Sequence, residues 1–279
     1  MVQYNLLLSF IKNLFNMKYA IASSAVIPLR PEASEKSEML TQIMFGEHLE
    51  VFGTIGNWAN VRNAVDGYLG WIDKKTLIEI DEKQFHKLNE HGEVYVLSEL
   101  FSFVTDEKNT EYILPAGSSL PNFNTKELTF NIAQKQFKLK NTPKENNKSK
   151  REIISDSAIQ FLNSPYLWGG KNPFGIDCSG LSQVAYKIAG ITIPRDASKQ
   201  VTAGESVSFL SETKPGDLAF FDNEEGIITH VGILLSPNKI IHASGKVRID
   251  TIDHQGIYNN DLNKYTHKLR VVMNMIGDK

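Results

Sequence analysis

The sequence predicts small all-β domains in the first half of the chain and an α+β domain in the second half. Short alternating strand patterns, broken by glycine-containing turns, run through residues 17–140. Residues 151–275 begin with two helical patterns and continue as strands. Helices followed by a run of strands are typical of an α+β arrangement with an antiparallel sheet.

The first all-β segment spans residues 17–80. Residues 58–62 and 68–72 have strand character and flank Asp66-Gly67, which predicts a hairpin. Several short strands of this kind predict a small barrel. The polar residues 81–92 that follow are compatible with a short helix and are interpreted as a connector.

The second all-β segment spans residues 93–140. Strands are expected at residues 94–97, 111–114 and 126–130. We interpret this segment as a second, more divergent barrel. Residues 141–150 are polar and charged without an apolar anchor, which is typical of a linker.

The third region, residues 151–279, is the α+β domain. Its first helix is expected over residues 151–163, with five apolar positions at helical spacing: Ile153, Ile154, Ala158, Ile159 and Leu162. A second helical pattern covers residues 181–189 and ends at Gly190, and four or more strands are expected in residues 216–275.

The bulk properties are those of a globular protein. The chain has 279 residues, with 41% hydrophobic and 22% charged residues, which allows two or three domains. Its formal net charge of −2 provides no basic footprint, so neither nucleic acid nor a membrane surface is predicted as a partner.

Residues 1–16 are interpreted as an N-terminal extension or a misplaced start. The apolar run from Leu6 to Phe15 is much shorter than the ~20 residues that a membrane span requires. No basic region precedes it. The alternative is a signal peptide cleaved within residues 20–25.

Cys178 is the only cysteine, so the chain has no internal disulfide, and this residue is either a core hydrophobe or a reactive thiol. It lies in the first turn of the second predicted helix, where the helix dipole and a histidinium partner are expected to lower its pKa. Two following strands carry His230 and His242. A thiol and two histidines in this layout are typical of a nucleophile, its base and an orienting group. Gly232 is expected to let the thiol-bearing helix approach closely.

Six motifs occur in a fixed order, namely Pro165-Tyr166-Leu167-Trp168-Gly169-Gly170, Asp177-Cys178-Ser179-Gly180, Ile193-Pro194-Arg195-Asp196, Lys214-Pro215-Gly216-Asp217-Leu218, His230-Val231-Gly232 and His242-Ala243. Together they resemble the NlpC/P60 family of papain-like cysteine peptidases, which cleave the peptide stems of bacterial cell wall. The N-terminal segments Val26-Ile27-Pro28-Leu29-Arg30 and Gly67-Tyr68-Leu69-Gly70-Trp71 resemble the bacterial SH3 domain of YkfC-like γ-D-glutamyl-L-diamino acid endopeptidases. The resemblance implies a papain-like domain after two SH3-like barrels.

The resemblance also implies catalytic roles. Cys178 is expected to be the nucleophile, His230 its base and His242 the residue that orients the base. Tyr166 is expected to help bind the oxyanion together with the Cys178 backbone N–H. The alternative interpretations are an aromatic core contact for Tyr166 and an ordinary strand residue for each histidine.

Further roles concern the substrate. Asp177, Glu38 and Tyr68 are expected to enclose a free α-amine, a group with donors and no acceptor. Ser179 and Ser198 are expected to bind the α-carboxylate of D-glutamate. Asp177 has a second interpretation as a helix N-cap, and Glu38 and Tyr68 have one as surface residues.

The implied activity is hydrolysis of the γ-D-glutamyl-L-diamino acid bond in murein tripeptides or tetrapeptides with a free N-terminal L-Ala, as in cell-wall peptide recycling. The alternatives are a secreted hydrolase of intact peptidoglycan, whose SH3 domains bind the wall, and a non-enzymatic wall-binding module. We expect no metal or other cofactor, since the sequence shows no typical zinc spacing or phosphate-binding glycine motif. We also expect a monomer. The cytoplasm is the favoured location, with a periplasmic or secreted protein as the alternative.

Overall fold

The computed structural model describes residues 17–90, 94–143 and 147–277, and the predicted extension over residues 1–16 lies outside these ranges. The described residues form two compact units. The first consists of residues 17–90, 94–97 and 101–142, and the second of residues 98–100, 143 and 147–277. No helix in the described ranges is long and apolar enough to cross a membrane. The predicted domain boundaries within these units stay predictions.

The first unit begins with seven short strands. These are β1 (Tyr19–Ala22), β2 (Val26–Leu29), β3 (Thr41–Met44), β4 (His48–Ile55), β5 (Trp58–Asn63), β6 (Leu69–Asp73) and β7 (Leu77–Ile80). Five form an antiparallel sheet in the order β6-β5-β4-β1-β7, and β2 pairs with β3. Ile43, Leu49 and Val61 are fully buried in their core. The predicted hairpin is confirmed, with Arg62 opposite Leu69.

The connector contains the helix α1 (Glu82–Leu88). Six strands follow in the same unit: β8 (Val94–Val96), β9 (Phe101–Asp106), β10 (Glu111–Pro115), β11 (Ser119–Pro121), β12 (Thr129–Ile132) and β13 (Lys135–Leu139). They form a sheet in the order β10-β9-β13-β12 and a separate ribbon of β8 and β11. The strand predicted over residues 126–130 begins later than expected. The Asn124 side chain holds a turn there by accepting hydrogen bonds from the N–H groups of Lys126 and Glu127.

This later part of the first unit shares its hydrophobic core with earlier residues. Phe130 and Phe137 stack with ring centroids 5.2 Å apart. They belong to one hydrophobic cluster with Ile21, Phe45 and Ile80 from the earlier strands. The interpretation of residues 93–140 as a second SH3-like barrel therefore stays a prediction.

The second unit contains three helices, α2 (Lys150–Gln160), α3 (Cys178–Ile188) and α4 (Ala197–Gln200). Helix α2 begins inside the predicted linker because Ser149 and Glu152 form a capping box. It also ends earlier than predicted. Ile159, inside the helix, and Leu162, after it, are both exposed, whereas Phe161 is buried.

Nine strands complete the second unit. They are β14 (Lys171–Asn172), β15 (Gly175–Ile176), β16 (Glu205–Val207), β17 (Leu218–Asp222), β18 (Ile228–Ser236), β19 (Lys239–Ser244), β20 (Lys246–Ile252), β21 (Gly256–Asn259) and β22 (Lys264–Asn274). Seven form an antiparallel sheet in the order β16-β22-β17-β18-β19-β20-β21. Because β22 also pairs with β21, strands β17 to β22 close into a barrel. Helix α3 packs on β18 and β19, which confirms the helix-on-sheet arrangement.

Candidate active site

Helix α3 begins at Cys178 because Asp177 caps it. The Asp177 carboxylate accepts a hydrogen bond from the Gly180 N–H at 2.7 Å. The backbone of Gly170 passes so close that a Cβ on Gly180 would lie 2.3 Å from its carbonyl oxygen. The cap and this glycine together define the first turn, where Cys178 is buried.

Asp177 is also the centre of a buried charged network. Its Oδ2 accepts from the Gly169 N–H at 2.8 Å and from the Arg195 guanidinium at 2.6 Å. Its Oδ1 accepts from the Ser179 hydroxyl at 3.3 Å as well as from Gly180, and Arg195 donates to that hydroxyl at 2.7 Å. Four donors fill the acceptor positions of a carboxylate. The capping interpretation of Asp177 is confirmed, and its role in binding a substrate amine stays a prediction.

The two predicted histidines lie on adjacent strands with a hydrogen bond between their rings. His242 is opposite Gly232 in the register of β18 and β19, so it is the diagonal neighbour of His230. His230 Nε2 lies 2.9 Å from His242 Nδ1. A Cβ on Gly232 would lie 2.6 Å from Ile240 and 2.9 Å from the Cβ of His242. Gly232 was predicted to let the thiol-bearing helix approach closely. This prediction was wrong, because the glycine makes room for side chains of β19 instead.

A carboxylate extends the histidine chain. His242 Nε2 lies 3.0 Å from Asp250 Oδ2. Arg248 binds the same carboxylate through Nε at 2.6 Å and Nη2 at 2.8 Å. Burial alone would raise the pKa of the Asp250 carboxyl, but the hydrogen bonds from His242 and Arg248 outweigh this effect and lower it. Asp250 is therefore an ionised acceptor.

This chain of bonds assigns the ring protons. An ionised carboxylate only accepts, so His242 Nε2 donates to Asp250. In a neutral imidazole the other nitrogen is then an acceptor, and His242 Nδ1 receives the Nε2–H of His230. The Nδ1 of a neutral His230 is consequently unprotonated, as a general base requires.

The helix that carries the thiol packs on the strand that carries this base. The N–H groups of Val231 and Ser179 hydrogen-bond the sulfur of Cys178. Val231 directly follows His230, so the same stretch of β18 carries the base and binds the nucleophile. The structure thus brings together the three residues predicted to perform the chemistry.

The charge state of this pair differs from the expectation. Burial, aided by the charge of Asp177, raises the pKa of the Cys178 thiol to about 11, although the Val231 N–H, Arg195 and the Ser179 N–H oppose the rise. Burial, with His267 and His242 nearby, holds the pKa of His230 well below its ordinary value of 6.5. Burial is the largest cause of both shifts, and it favours the neutral thiol and the neutral imidazole.

A third imidazole, to which the sequence assigned no role, completes the cluster. The His267 ring stacks on His230 with centroids 4.1 Å apart and planes at 26°. Ligand nitrogens of His230, His242 and His267 lie within 4.8 Å of one another, a spacing at which a metal could be held. An ion is bound near the plane of each imidazole ring, however, and two stacked rings cannot both meet that condition without tilting. With His230 and His242 already bonded to each other, the geometry favours proton transfer over metal binding.

Tyr166 lies near the thiol. Its backbone N–H donates to Gly245 at 3.0 Å, and it forms a bridge with Ile176. Partial burial, then the charges of Cys178 and Asp177, raise the pKa of the Tyr166 phenol to about 12. The phenol is therefore a neutral donor beside the sulfur, which fits the predicted oxyanion role, although that role stays a prediction.

The remaining predicted site residues occupy varied surroundings. Ser179 is buried in the Asp177 network. Ser198 is exposed on α4, a helix tied to α3 by a hydrogen bond from Gln200 to the Ser179 carbonyl at 3.1 Å. Glu38 is exposed in the first unit. Tyr68 packs against the core of the same unit. Their roles in substrate binding stay predictions.

Sequence reasoning missed four residues of this site, namely Arg195, Arg248, Asp250 and His267. Arg195 lies in one of the six motifs and could have been paired with the capping carboxylate. Arg248 and Asp250 alternate on the strand after His242, which placed them on the same face. His267 gave no local signal, because only the closure of the barrel by β22 brings it to His230.

Comparison with known proteins agrees with this geometry. The profile of the NlpC/P60 family matches residues 163–266, and that of the bacterial dipeptidyl-peptidase SH3 domain matches residues 29–77. A gamma-D-glutamyl-L-lysine dipeptidyl-peptidase of Bacillus subtilis is 33% identical over 240 residues, covering 80% of this chain and 78% of the relative. The chain belongs to the NlpC/P60 family.

Two further relatives extend this assignment. A gamma-D-glutamyl-L-lysine dipeptidyl-peptidase of Bacillus cereus is 28% identical over 229 residues, covering 74% of this chain and 68% of that one. The crystal structure of an NlpC/P60 family protein from Bacillus cereus superposes with a TM-score of 0.75 at 20% identity. The superposition covers 92% of this chain and 99% of the chain in that crystal structure. The predicted NlpC/P60 fold and the SH3 domain before it are confirmed.

Proposed function

We propose that this NlpC/P60 peptidase is a cysteine endopeptidase that hydrolyses the γ-D-glutamyl-L-diamino acid bond of murein tripeptides or tetrapeptides with a free N-terminal L-Ala. The observation that carries the cysteine chemistry is the buried thiol of Cys178 bound by the residue that follows His230, whose ring is joined to His242. This arrangement on α3 and β18 supports the papain-like placement of thiol and imidazole. The bond specificity is supported by the names of the two dipeptidyl-peptidase relatives.

Acylation starts from the neutral pair. The sulfur of Cys178 bonds to the γ-carbonyl carbon while its proton moves to Nδ1 of His230. The imidazolium then gives this proton to the amine nitrogen as the C–N bond breaks. The diamino acid leaves with a free amine, and the γ-carboxyl group remains as a thioester on Cys178.

Deacylation reverses the roles of the two groups. Water loses a proton to His230 Nδ1 and attacks the thioester carbonyl. The C–S bond breaks, the sulfur recovers the proton from His230, and L-Ala-D-Glu is released with a free γ-carboxyl group. In both steps the Tyr166 hydroxyl and the Cys178 N–H are the proposed donors to the oxyanion.

Selection for a free N-terminus is proposed for Glu38 and Tyr68. Four donors already occupy Asp177, so Glu38 is the proposed carboxylate partner of the substrate ammonium. A carboxylate supplies the acceptor that an ammonium needs, and an acylated terminus has lost that charge. Removal of a dipeptide, the activity named for the relatives, also requires a free N-terminus.

The test is mass spectrometry of the products from L-Ala-γ-D-Glu-L-Lys, from the diaminopimelate peptide, from their N-acetylated forms and from whole sacculi. We expect kcat/KM for free peptides to exceed that for acetylated peptides by about tenfold or more. Glu38→Ala should remove most of this preference by slowing the free peptide. Glu35→Ala, an exposed carboxylate three residues earlier, is the matched control and should preserve it.

Equal rates on free and acetylated peptides would contradict the amine selection and favour the alternative of a hydrolase acting on intact wall. Release of peptides from sacculi would point the same way. Because the proposed substrates are released murein peptides, we also propose a cytoplasmic location. Cell fractionation tests it. A monomer is likewise proposed, and light scattering tests it.

A further inference from the structure

We propose that Asp250 is a positioning residue that, through His242, keeps Nδ1 of His230 free of a proton and stabilises the imidazolium formed during hydrolysis. Arg248 holds Asp250 in this role. The inference rests on the proposed chemistry of Cys178 and His230. It is carried by an unbroken buried chain of hydrogen bonds from the base to the carboxylate.

The strand register places the carboxylate behind the histidine pair. Arg248 is opposite His242 and Asp250 is opposite Ile240 in the pairing of β19 and β20. Asp250 is therefore the diagonal neighbour of His242 on the same face. The side chains of His242 and Asp250 are only 1% and 3% exposed. A buried carboxylate is costly unless it is fully bonded, and here the guanidinium of Arg248 supplies two of the bonds.

The site requires a carboxylate rather than an amide. Oδ2 of Asp250 accepts from two donors, His242 and Arg248, and Oδ1 accepts from Arg248 again. Asparagine offers one acceptor oxygen and one NH₂ donor, so its NH₂ must face either Arg248 or His242. If the NH₂ faces His242, that ring must donate from Nδ1 instead of Nε2. His230 would then accept at Nε2 and carry its proton on Nδ1, which blocks the base.

The charge on Asp250 also affects the reaction step. When His230 takes the thiol proton, a positive charge forms in a buried site. Several titratable and charged groups surround His230 and His242. They are Cys178 with its capping Asp177, His267 of β22, Arg248 and Asp250 of β20, and Arg195, which interacts with Cys178. Among these, Asp250 is the carboxylate hydrogen-bonded to the histidine pair. Its charge is shared with Arg248, so removing either partner should change the basicity of the pair in opposite directions.

The first experiment measures alkylation of the protein by iodoacetamide between pH 4.5 and 10. Cys178 is the only cysteine, so the rate reports this thiol alone and needs no substrate turnover. Asp250→Asn should slow alkylation at pH 7 by about 10- to 100-fold and move the acid limb of the profile to lower pH. Arg248→Gln leaves the carboxylate unshared and should move the acid limb to higher pH. The matched control is Asp261→Asn, because Asp261 is exposed and binds the same guanidinium at 2.9 Å, and its rate should stay within about twofold.

The second experiment asks whether Asp250 acts through His242. In a His242→Asn background, Asp250→Asn should cause little further loss of kcat/KM on the γ-D-glutamyl peptide. An equal loss in both backgrounds overturns the proposal, as does an unchanged alkylation profile in a folded Asp250→Asn protein. If Asp250→Asn does not fold, Arg248→Gln decides, and the absence of an upward shift overturns the proposal. A protein with the expected alkylation profiles but without turnover supports the positioning role and contradicts the proposed function instead.

Discussion

The two charged networks beside Cys178 are built from the same parts and differ in what they leave open. Asp177 with Arg195 and Asp250 with Arg248 are both carboxylate–guanidinium pairs with a buried carboxylate. The Asp177 carboxylate accepts four hydrogen bonds and ends the network there. The Asp250 network continues through two imidazoles to an unprotonated ring nitrogen. We therefore expect the buried ion pair to stabilise structure in one region and to assist catalysis in the other, and the difference is whether an acceptor remains at the end of the network.

The comparison is tested most strongly at the reactive end of the histidine network. Cys178→Ala and His230→Ala should each lower kcat on the γ-D-glutamyl peptide by about 10⁴-fold or more, because a nucleophile and its base act as a unit. The measurement is product formation by mass spectrometry, with circular dichroism to show that each variant is folded. His254→Ala, in an exposed turn, is the matched control and should keep its activity. Substantial turnover by folded Cys178→Ala would exclude the cysteine mechanism.

The Asp177 network should show its contribution in stability instead. Arg195→Met leaves a buried carboxylate without its cation and should lower the free energy of unfolding by about 3–5 kcal/mol. Urea unfolding followed by circular dichroism measures this loss. Lys148→Ala removes an exposed ion pair with Asp156 and should produce no measurable change. A folded Arg195→Met protein with unchanged stability would show that this network is not structural and would remove the contrast.

The smallest expected effect concerns pH and the stacked imidazole. Burial, followed by the nearby His242, lowers the pKa of His267 to about 4, and the pKa of His230 is lowered as well. Unfolded histidines bind protons below about pH 6.5, so the unfolded state gains protons first and stability falls as the pH drops from about 6.5 towards 4. His267→Phe keeps a ring but removes its own titration.

The measurement for this third effect is the urea midpoint at pH 7 and at pH 5. The difference between the two midpoints should be smaller in His267→Phe than in the unmodified protein. His254→Phe, on the exposed turn, should leave the difference unchanged. If the urea midpoint of the unmodified protein is not lower at pH 5 than at pH 7, the proposed neutral state of the histidine cluster is wrong.

Local patterns predicted the parts of the fold that depend on neighbours in sequence. Helical spacing and a capping Asp177 placed Cys178 at the start of α3, and two apolar runs placed His230 and His242 on strands. The helix before them was predicted too long, because apolar spacing continued past the point where the structure ends the helix. Ile159 lies inside the helix and was counted on its apolar face, yet it is exposed.

What could not be predicted depends on contacts between distant residues. Charged residues that alternate on a strand usually face solvent, so Arg248 and Asp250 carried no signal of burial. His267 lies between Thr266 and Lys268 in the sequence, and the pairing of β22 with distant strands brings it to His230. The pKa directions depend on the same distant contacts, because burial is the largest cause of both shifts.

The closure of the barrel by β22 has a consequence for how the protein is made. Strand β22 pairs with both β17 and β21, and it carries the imidazole that stacks on His230. A nascent chain that has emerged only as far as β21 already contains the thiol, the base and the carboxylate behind it. It still lacks the strand that joins the two ends of the barrel, and long-range strand pairing of this kind forms late in folding. The order of synthesis therefore delays a competent hydrolase until the last of these strands has left the ribosome.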